Sequence, residues 1–536
     1  MKKINRSIIL MTILLSLALV SCKTKAPEMS QVDSQVGVSE VTLDTSSQAN
    51  QVNIIYFNDF HGNVAEDVSE WGKNIGMAKM IGYANNAKET LPNTFVISGG
   101  DNYQGTAISN LTYGAPVSAM FKSLEVPYCA VGNHEFDWGV KHLVTWQEDG
   151  GFTFLAANIV DKATGEPIPY VKPYGFVNIG KYKIAFIGLA HPDTATLVDA
   201  KNVANITFTE PVAAAQKWVN YLKSGKAPEG TPDAIIALTH IDSYQDYDTM
   251  AITGNAVKLT TVDGLDAILS AHSHSTVSGV VNGMPIIQAY KYGRSLGKMT
   301  LNFNDDGSLA NIKTEVDPVF EIKSNIIPDA KGAADLAMYE EQTNSITKEF
   351  LGTATADFTH DRSSNNVSKL GYWFTKLLVD RFGTQVAIFN GGSLRRTLSA
   401  GTITMGDAYE IMPFDGYPIT LKLPGKDLKA AIDHGIENSE ITDGEFYGVK
   451  VVYDPSKEFE HRIVSITLND GTPIVDDQLY TVTISDFMFT GGDKYDFSNA
   501  TDVVETYVDI RSIIVDEIKA KGTITPMDVD NITTVK

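Results

Sequence analysis

The sequence predicts an α/β protein with two domains joined by a helix. Between about residues 52 and 322, short apolar runs typical of strands alternate with helical stretches, which is the pattern of α/β architecture. The 536-residue chain is also too long for a single hydrophobic core. We therefore expect a first domain over 51–326, a linker helix over 327–350 and a second domain over 351–536.

The N-terminus predicts export. Three basic residues precede an apolar stretch over 8–20, which is shorter than the roughly 20 residues that a membrane span needs, so we interpret 1–21 as a signal peptide. A small residue precedes Cys22, as in bacterial lipoprotein signals, which implies that Cys22 is lipidated and that the protein is anchored in the cell envelope. An ordinary signal peptide with an incidental cysteine is the alternative. Residues 22–50 lack periodicity and are rich in Ser, Gln and Thr, as in a flexible tether.

The charge of the chain limits its partners. The formal net charge is −22, whereas proteins that bind nucleic-acid backbones need a basic surface. We therefore expect no nucleic acid partner. A small phosphorylated substrate remains compatible with this charge, because bound metal ions and a few arginines set the local field.

Polar clusters follow the predicted strands of the first domain. The strand-like runs are 52–57, 94–98, 128–131, 234–238 and 267–270, and the clusters after them are 58–61, 100–101, 132–137, 239–240 and 271–274. In open α/β sheets, ligands bind beyond the carboxyl ends of the strands. We expect the five clusters to converge there on one site.

The side chains in these clusters suit a site for two divalent ions. The candidate ligands are Asp59, His61, Asp101, Asn133, His240, His272 and His274. Carboxylate, imidazole and amide groups suit zinc, manganese, cobalt or similar ions, and a shared carboxylate holds two ions about 3.5–4 Å apart. Asp101 is the candidate bridge, because the glycine pair before it lets the backbone turn sharply. His134 follows a candidate ligand directly and should face substrate, with Asp137 orienting its ring.

The order of these clusters resembles that of the bacterial 5′-nucleotidase family, which includes periplasmic UDP-sugar hydrolases and ecto-5′-nucleotidases. The resemblance covers nearly all of the chain after the tether. It implies an N-terminal calcineurin-like metallophosphatase β-sandwich with flanking helices, a linker helix and a C-terminal 5′-nucleotidase α/β domain. It also implies one ion held by Asp59, His61, Asp101 and His274, a second held by Asp101, Asn133, His240 and His272, and a catalytic dyad of His134 and Asp137. His274 departs from several relatives, which carry an amide residue there.

Three segments of the second domain, 390–395, 413–416 and 485–493, match the nucleotide-binding half of that family. The candidate substrate-binding residues are Arg362, Asn390, Arg395, Phe414, Phe487 and Asp493. Two aromatic rings can sandwich a base, a carboxylate can accept the ribose hydroxyls, an amide can bind the base and a guanidinium can bind phosphate. The sequence departs from the family at Lys494, because relatives usually have glycine after the aspartate that corresponds to Asp493.

The expected function is an extracytoplasmic hydrolase with two divalent metal ions that releases phosphate from 5′-nucleotides, in nucleotide catabolism. Cleavage of UDP-sugars is also open. One alternative is a 2′,3′-cyclic-nucleotide 2′-phosphodiesterase with 3′-nucleotidase activity, and another, of a different class, is a lipid-anchored surface binding protein. The expected partners are a small nucleotide and, through the lipid anchor alone, a membrane. The sequence leaves the oligomeric state open.

Overall fold

Two β-sheets packed face to face form the first domain, as the resemblance implied. The computed structural model describes residues 40–43, 45, 47–68, 72–360, 367–438 and 443–535. The seven-stranded sheet has the spatial order Glu40–Leu43, Tyr174–Ile179, Tyr182–Leu189, Ala234–Thr239, Ala267–Leu269, Met284–Ala289 and Thr276–Val281. The six-stranded sheet has the order Leu309–Asp317, Leu296–Phe303, Gln51–Phe57, Thr94–Ser98, Tyr128–Ala130 and Thr153–Leu155.

Alternation of side chains along the strands separates the core of the sandwich from the layers outside it. In Gln51–Phe57, Ile54 and Tyr56 are buried between the two sheets, whereas Ile55 and Phe57 are buried under helices. Successive side chains of a strand point to opposite faces, so a strand covered on both sides is apolar at most positions. This is why the strands that precede the polar clusters are rich in apolar residues, with Asn53 as a buried polar exception.

Helices cover both outer faces of the sandwich. The helices Gly76–Thr90, Ala115–Leu124 and Lys141–Gly150 lie on the six-stranded sheet, near the short helix Ala107–Leu111. Pro211–Lys223 lies on the seven-stranded sheet, where it begins with proline and with a cap from the Glu210 carboxylate to the Ala213 N–H. The first domain also contains the short helix Thr194–Leu197 and the 3₁₀ turns His134–Phe136, Ala200–Val203, Asn255–Thr261 and Lys323–Asn325. Two short strand pairs complete it. Ile159–Asp161 pairs with Ile206–Phe208, and Tyr244–Gln245 pairs with Ile252–Thr253.

The predicted linker helix is present as Ala330–Thr347. The Asp329 side chain caps its N-terminus by accepting from the Gly332 N–H at 2.7 Å. The helix packs against Gly76–Thr90 and Ala115–Leu124 of the first domain and against Met405–Ile411 of the second. It therefore contacts both domains along its length.

Part of the predicted tether is a strand instead. Glu40–Leu43 pairs in parallel with Tyr174–Ile179 at the edge of the seven-stranded sheet, with Glu40 opposite Phe176. The tether prediction over 22–50 is therefore wrong for these residues. A four-residue edge strand has too few buried side chains to produce a periodic signal, because backbone pairing with the neighbouring strand supports it.

The second domain is built on a five-stranded mixed sheet with two smaller sheets beside it. The five-stranded sheet has the order Gly444–Tyr447, Val386–Asn390, Leu479–Ser485, Pro418–Pro424 and Thr501–Glu505. One smaller sheet has the order Gly401–Thr404, Phe350–Ala354 and Thr523–Ile524. The other has the order Ile463–Leu468, Val449–Tyr453 and Ile532–Thr534. The helices are Lys369–Phe382, Met405–Ile411, Gly425–His434, Asp486–Phe489 and Ile510–Lys521, with 3₁₀ turns at Gly391–Ser393 and Gly492–Lys494.

No helix in the described part of the chain is both long and apolar enough to cross a bilayer.

Candidate active site

Polar side chains from the ends of two strands form the first group of candidate metal ligands. Asp59 and His61 follow Gln51–Phe57, and His274 follows Ala267–Leu269. The Nε2 atoms of His61 and His274 lie 3.1 Å apart, and His274 Nε2 lies 3.3 Å from Asp59 Oδ1. The three side chains thus bring their ligand atoms to one point.

A second group lies beside the first. Asp101, His240 and His272 place one ligand atom each within 4.8 Å of one another. His240 Nε2 is 3.1 Å from Asp101 Oδ2, and the ring of His272 reaches Asn133, with 3.0 Å between Nδ1 and Oδ1. The structure therefore brings together all seven ligands that the sequence predicts, from segments more than 200 residues apart.

Asp101 lies between the two groups. Its Oδ2 atom is 3.1 Å from Nε2 of His240 in the second group and 3.9 Å from Nε2 of His61 in the first. Its Oδ1 atom accepts the backbone N–H of His134 at 2.9 Å. This position agrees with the expected role of a bridging carboxylate.

The ring nitrogens that converge here carry lone pairs when the imidazoles are neutral. At His240 the Asp101 and Asp59 carboxylates outweigh burial and raise the pKa to about 10, so a cation bound there would take the place of a proton. The Nδ1 atoms of His61 and His240 donate to the carbonyls of Gln104 and Gly99, at 2.9 and 2.8 Å, which leaves each Nε2 without a proton in the neutral ring. Burial, reinforced by the Arg395 guanidinium, holds the pKa of His61 well below its usual range. Asp59 Oδ1 is buried with no hydrogen-bond partner among the described residues. Lone pairs facing one another need a cation between them, so these donors fit divalent metal ions.

Five of the candidate ligands have left-handed backbone conformations. The φ angles are 49° at Asp59, 49° at His61, 54° at Asp101, 73° at His272 and 55° at His274. Residues with side chains seldom adopt such angles, which cost of order 1–3 kcal/mol each and cluster at functional sites. Before Asp101, Gly100 has a φ of 92°, and a Cβ there would lie 2.8 Å from the Gly132 nitrogen. The sharp turn predicted for the glycine pair is therefore present.

His134 and Asp137 form a hydrogen-bonded pair at the edge of the metal groups. His134 Nδ1 lies 2.8 Å from Asp137 Oδ2, and each side chain is 13% exposed. Burial disfavours the charged ring, but the Asp137 and Asp101 carboxylates outweigh it, so the pKa of His134 is raised. The pair thus favours a positively charged imidazole facing the cleft.

Glu135 is a site residue within the cluster 132–137 for which the sequence predicts no role. Its fully buried carboxylate accepts the backbone N–H groups of Asp101, Asn102 and Gly132 at 2.7–2.9 Å. It therefore ties the loop that carries Asp101 to the loop that carries Asn133. Its place inside a polar cluster after a strand was the available signal, because a charged residue is seldom fully buried without partners.

One cavity of about 1230 Å³ joins these loops to the second domain. The predicted substrate-binding residues that line it are Asn390, Arg395, Phe414, Phe487 and Asp493. The Phe414 ring stacks on the His134 ring, with 5.5 Å between centroids and 28° between planes, and the Arg395 guanidinium lies 5.6 Å from the centroid of Phe414. Asn110 of the first domain donates to the Pro413 carbonyl at 2.8 Å. The two domains therefore meet across the cavity.

The wall on the side of the second domain has the chemistry of a nucleoside site. Asn390 Nδ2 donates to Asp493 Oδ2 at 2.8 Å, and Asp493 has a φ of 51°. A Cβ at Gly492 would lie 2.6 Å from the Phe487 ring, so only glycine allows this approach. Phe414 and Phe487 line the same cavity. Arg362 and Cys22 lie outside the described residues.

A buried chain of polar groups supports the loop that begins at Asn390. His360 Nε2 donates to the Gly391 carbonyl at 3.0 Å, and its Nδ1 lies 3.0 Å from Ser368 Oγ. The Ser368 hydroxyl donates to Glu445 Oε1 at 2.6 Å. No sequence pattern reveals these contacts, because the residues that make them come from separate segments of the chain.

We expect His360→Ala to raise the KM for a nucleoside 5′-monophosphate about tenfold and to change kcat less. The variant removes the hydrogen bond that fixes the Gly391 carbonyl, and a lost bond of this kind is worth about one factor of ten in binding. Steady-state kinetics measure the split between KM and kcat. His360→Gln, which keeps a donor, should recover part of the loss, and the exposed His461→Ala is the matched control. An equal loss in kcat with KM unchanged would contradict the assigned role.

Comparison with known proteins agrees with this division of the chain. The family model for calcineurin-like phosphoesterases matches residues 52–276, and the model for the 5′-nucleotidase C-terminal domain matches residues 347–500. Endonuclease YhcR of Bacillus subtilis is 30% identical over 466 residues, which cover 82% of this chain and 37% of that protein. The chain thus spans just over a third of that relative.

Two further matches extend over most of both chains. A 5′-nucleotidase of Diplobatis ommata is 26% identical over 498 residues, which cover 83% of each protein. The crystal structure of a 5′-nucleotidase precursor from Thermus thermophilus has a TM-score of 0.79 at 23% identity and covers 90% of this chain and 99% of that chain. This structural likeness extends over both domains.

Proposed function

We propose a function for this chain from its membership of the 5′-nucleotidase family, to which it belongs by its calcineurin-like domain and its 5′-nucleotidase C-terminal domain. The proposed reaction is metal-dependent hydrolysis of nucleoside 5′-monophosphates to nucleoside and inorganic phosphate. One observation carries the proposal. A single cavity is lined by four of the predicted ligands (Asp101, Asn133, His272 and His274) and the His134–Asp137 pair, and by five of the predicted nucleoside-binding residues of the second domain.

Two divalent ions would be held by Asp59, His61, His274, Asp101, His240, His272 and Asn133, and when bound they supply Lewis acidity to the phosphoryl group. Water adds to phosphorus, the P–O5′ bond breaks, and the 5′ oxygen leaves as a hydroxyl after taking a proton. The protein contributes positioning and charge, which are the main demands of phosphoryl transfer. His134 stabilises the negative charge on the phosphoryl oxygens, because Asp137 orients its ring and favours its protonated form.

The second domain would hold the nucleoside. Phe414 and Phe487 provide aromatic faces for the base, and stacking on such faces is worth roughly 1–3 kcal/mol per base. The Asp493 carboxylate, oriented by Asn390, would accept the ribose hydroxyls. Arg395 lies over Phe414 and near His134, where its guanidinium can reach phosphate oxygens. We also propose UDP-sugars as substrates, because the cavity is lined by residues of both domains and could take a diphosphate between them.

A phosphodiesterase activity, such as opening of a 2′,3′-cyclic nucleotide, is the second candidate function. The similarity to a Bacillus subtilis protein named as an endonuclease favours it, because an endonuclease cleaves a phosphodiester. For location, we propose the bacterial cell envelope with a lipid anchor at Cys22, which rests on the apolar leader and the small residue before that cysteine.

Purified protein with Mn²⁺ should release phosphate from AMP faster than from 2′,3′-cyclic AMP or UDP-glucose, and a chelator should abolish this activity. The chelator acts by removing the ions from the lone-pair donors described above. A colorimetric assay for phosphate measures AMP hydrolysis directly, and for the cyclic ester and UDP-glucose a phosphatase added after heat inactivation of the protein detects the newly formed monoesters. Faster cleavage of the cyclic ester would favour the second candidate function. Bound metal without hydrolysis of any of the three would overturn the proposal.

A further inference from the structure

Among the aromatic side chains of the first domain that line the cavity without a part in the proposed reaction, three are in contact with one another. We call Tyr113, Trp138 and His142 the aromatic platform. The rings of Tyr113 and His142 are stacked, with 5.2 Å between centroids and 12° between planes. Trp138 meets Tyr113 edge to face, with 5.6 Å between centroids and 85° between planes. The three rings therefore form one cluster on the cavity wall.

Tyr113 is exposed and yet held in place. The residue is 58% exposed and has a φ of 48°. Its carbonyl accepts the Trp146 indole N–H at 2.8 Å, and its own N–H donates to the Asn110 carbonyl at 3.2 Å. An exposed aromatic ring and a left-handed backbone conformation each cost free energy, and such conformations cluster at functional sites. Since His142 covers one face of the ring, the exposed area lies on the rest of it.

His142 supports the ring of Tyr113 as a neutral aromatic group. Burial, with a smaller effect from the Lys141 ammonium, lowers the pKa of His142 to about 4. Its Nε2 is buried and has no hydrogen-bond partner among the described residues. Stacking between aromatic rings therefore holds the imidazole against Tyr113.

The platform lies next to the catalytic pair. Trp138 directly follows Asp137, and the Asp137 carbonyl accepts the Asn202 side-chain N–H at 2.9 Å, which fixes the backbone at this point. Phe414 and Phe487 lie on the second domain instead. The cavity that His134 lines thus has aromatic surface from both domains.

We propose that the aromatic platform binds the nucleobase of a second nucleoside esterified to the reacting phosphate, so that the substrates include dinucleoside monophosphates. This inference rests on the proposed function, in which the first nucleoside occupies the second domain. Water adds to phosphorus, the ester bond to one nucleoside breaks, and that nucleoside leaves as an alcohol after taking a proton. A nucleoside monophosphate remains on the other side. The open face of Tyr113 stacks on the base of the second nucleoside.

Two diesters of equal charge test this subsite. Adenylyl-(3′→5′)-adenosine carries adenosine on both sides of the phosphate, whereas the methyl ester of AMP carries a methyl group in place of the second nucleoside. With Mn²⁺, we expect kcat/KM to be about tenfold higher for the dinucleoside, as for one stacked base. Tyr113→Ala should remove this preference, and Tyr113→Phe, which keeps the ring, should retain it. Trp138→Leu is a second variant in case Tyr113→Ala folds poorly by circular dichroism.

Binding provides a readout that does not depend on turnover. Calorimetry with the Mn²⁺-loaded His134→Ala protein should give a Kd about tenfold lower for the dinucleoside than for the methyl ester. Equal kcat/KM and equal Kd for the two diesters would overturn the subsite. The rate with AMP, measured in parallel, tests the proposed function separately. Hydrolysis of AMP without any preference between the diesters would refute the subsite alone. Tighter dinucleoside binding without AMP hydrolysis would support the subsite and refute the proposed hydrolysis of nucleoside monophosphates.

Discussion

His134→Ala is expected to lower kcat for AMP by about 10³-fold while both metal ions stay bound. The imidazole lies beside the predicted ligands without belonging to them, with its Nδ1 tied to Asp137 at 2.8 Å. Its loss removes a positioned charge that acts most strongly in the transition state, and groups of this kind contribute 10²–10⁴-fold. Steady-state kinetics measure kcat, and elemental analysis of the same preparation measures the bound metal.

Asp137→Asn provides a graded comparison. The amide can still approach the imidazole but lacks the charge that raises the pKa of His134. We therefore expect kcat for AMP to fall by about ten- to a hundredfold. His461→Ala, an exposed histidine of the second domain, should retain normal activity. A His134→Ala protein that keeps most of its activity would show that the histidine has no catalytic role.

Asp101→Asn is expected to reduce bound manganese from two ions per chain to one or fewer and to lower kcat/KM by about 10³-fold or more. Asp101 Oδ2 faces His240 of one ligand group and His61 of the other, so its charge serves both ions. Asparagine tolerates the left-handed backbone at this position better than alanine does, so the change tests charge with little added strain. Elemental analysis after gel filtration measures the metal content.

The matched control is Asp248→Asn, which removes a carboxylate from an exposed turn. It should leave metal content and activity unchanged. Two ions per chain in Asp101→Asn would contradict the bridging role, whatever the effect on rate.

Much of the fold follows from local pattern. The run 94–98 is the strand Thr94–Ser98, and the run 234–238 is the strand Ala234–Thr239 with one further residue. Strands buried on both faces are rich in apolar residues, so they are visible in sequence, and their ends mark the sheet edge where ligands collect. The convergence of the seven candidate ligands could therefore be predicted.

The supporting contacts could not be predicted in the same way. The Glu135 carboxylate is held by three backbone N–H groups on two loops. The hydrogen bonds that link His360 to Glu445 join segments about 80 residues apart. Such contacts depend on how close two loops come in space, which no periodicity encodes. The strand Glu40–Leu43 was missed for a related reason, since backbone hydrogen bonds to a distant strand hold it in place.

The pairing of Gln51–Phe57 determines when the site can assemble. This strand lies between Thr94–Ser98, which is near in sequence, and Leu296–Phe303, which is about 245 residues further along. Long-range strand pairing is slow, because the entropy of closing a large loop is lost before any contact forms. During synthesis, Asp59 and His61 thus cannot contact His274 until most of the first domain has left the ribosome. Any ion that needs ligands from both segments should accordingly be acquired only after most of the first domain has folded.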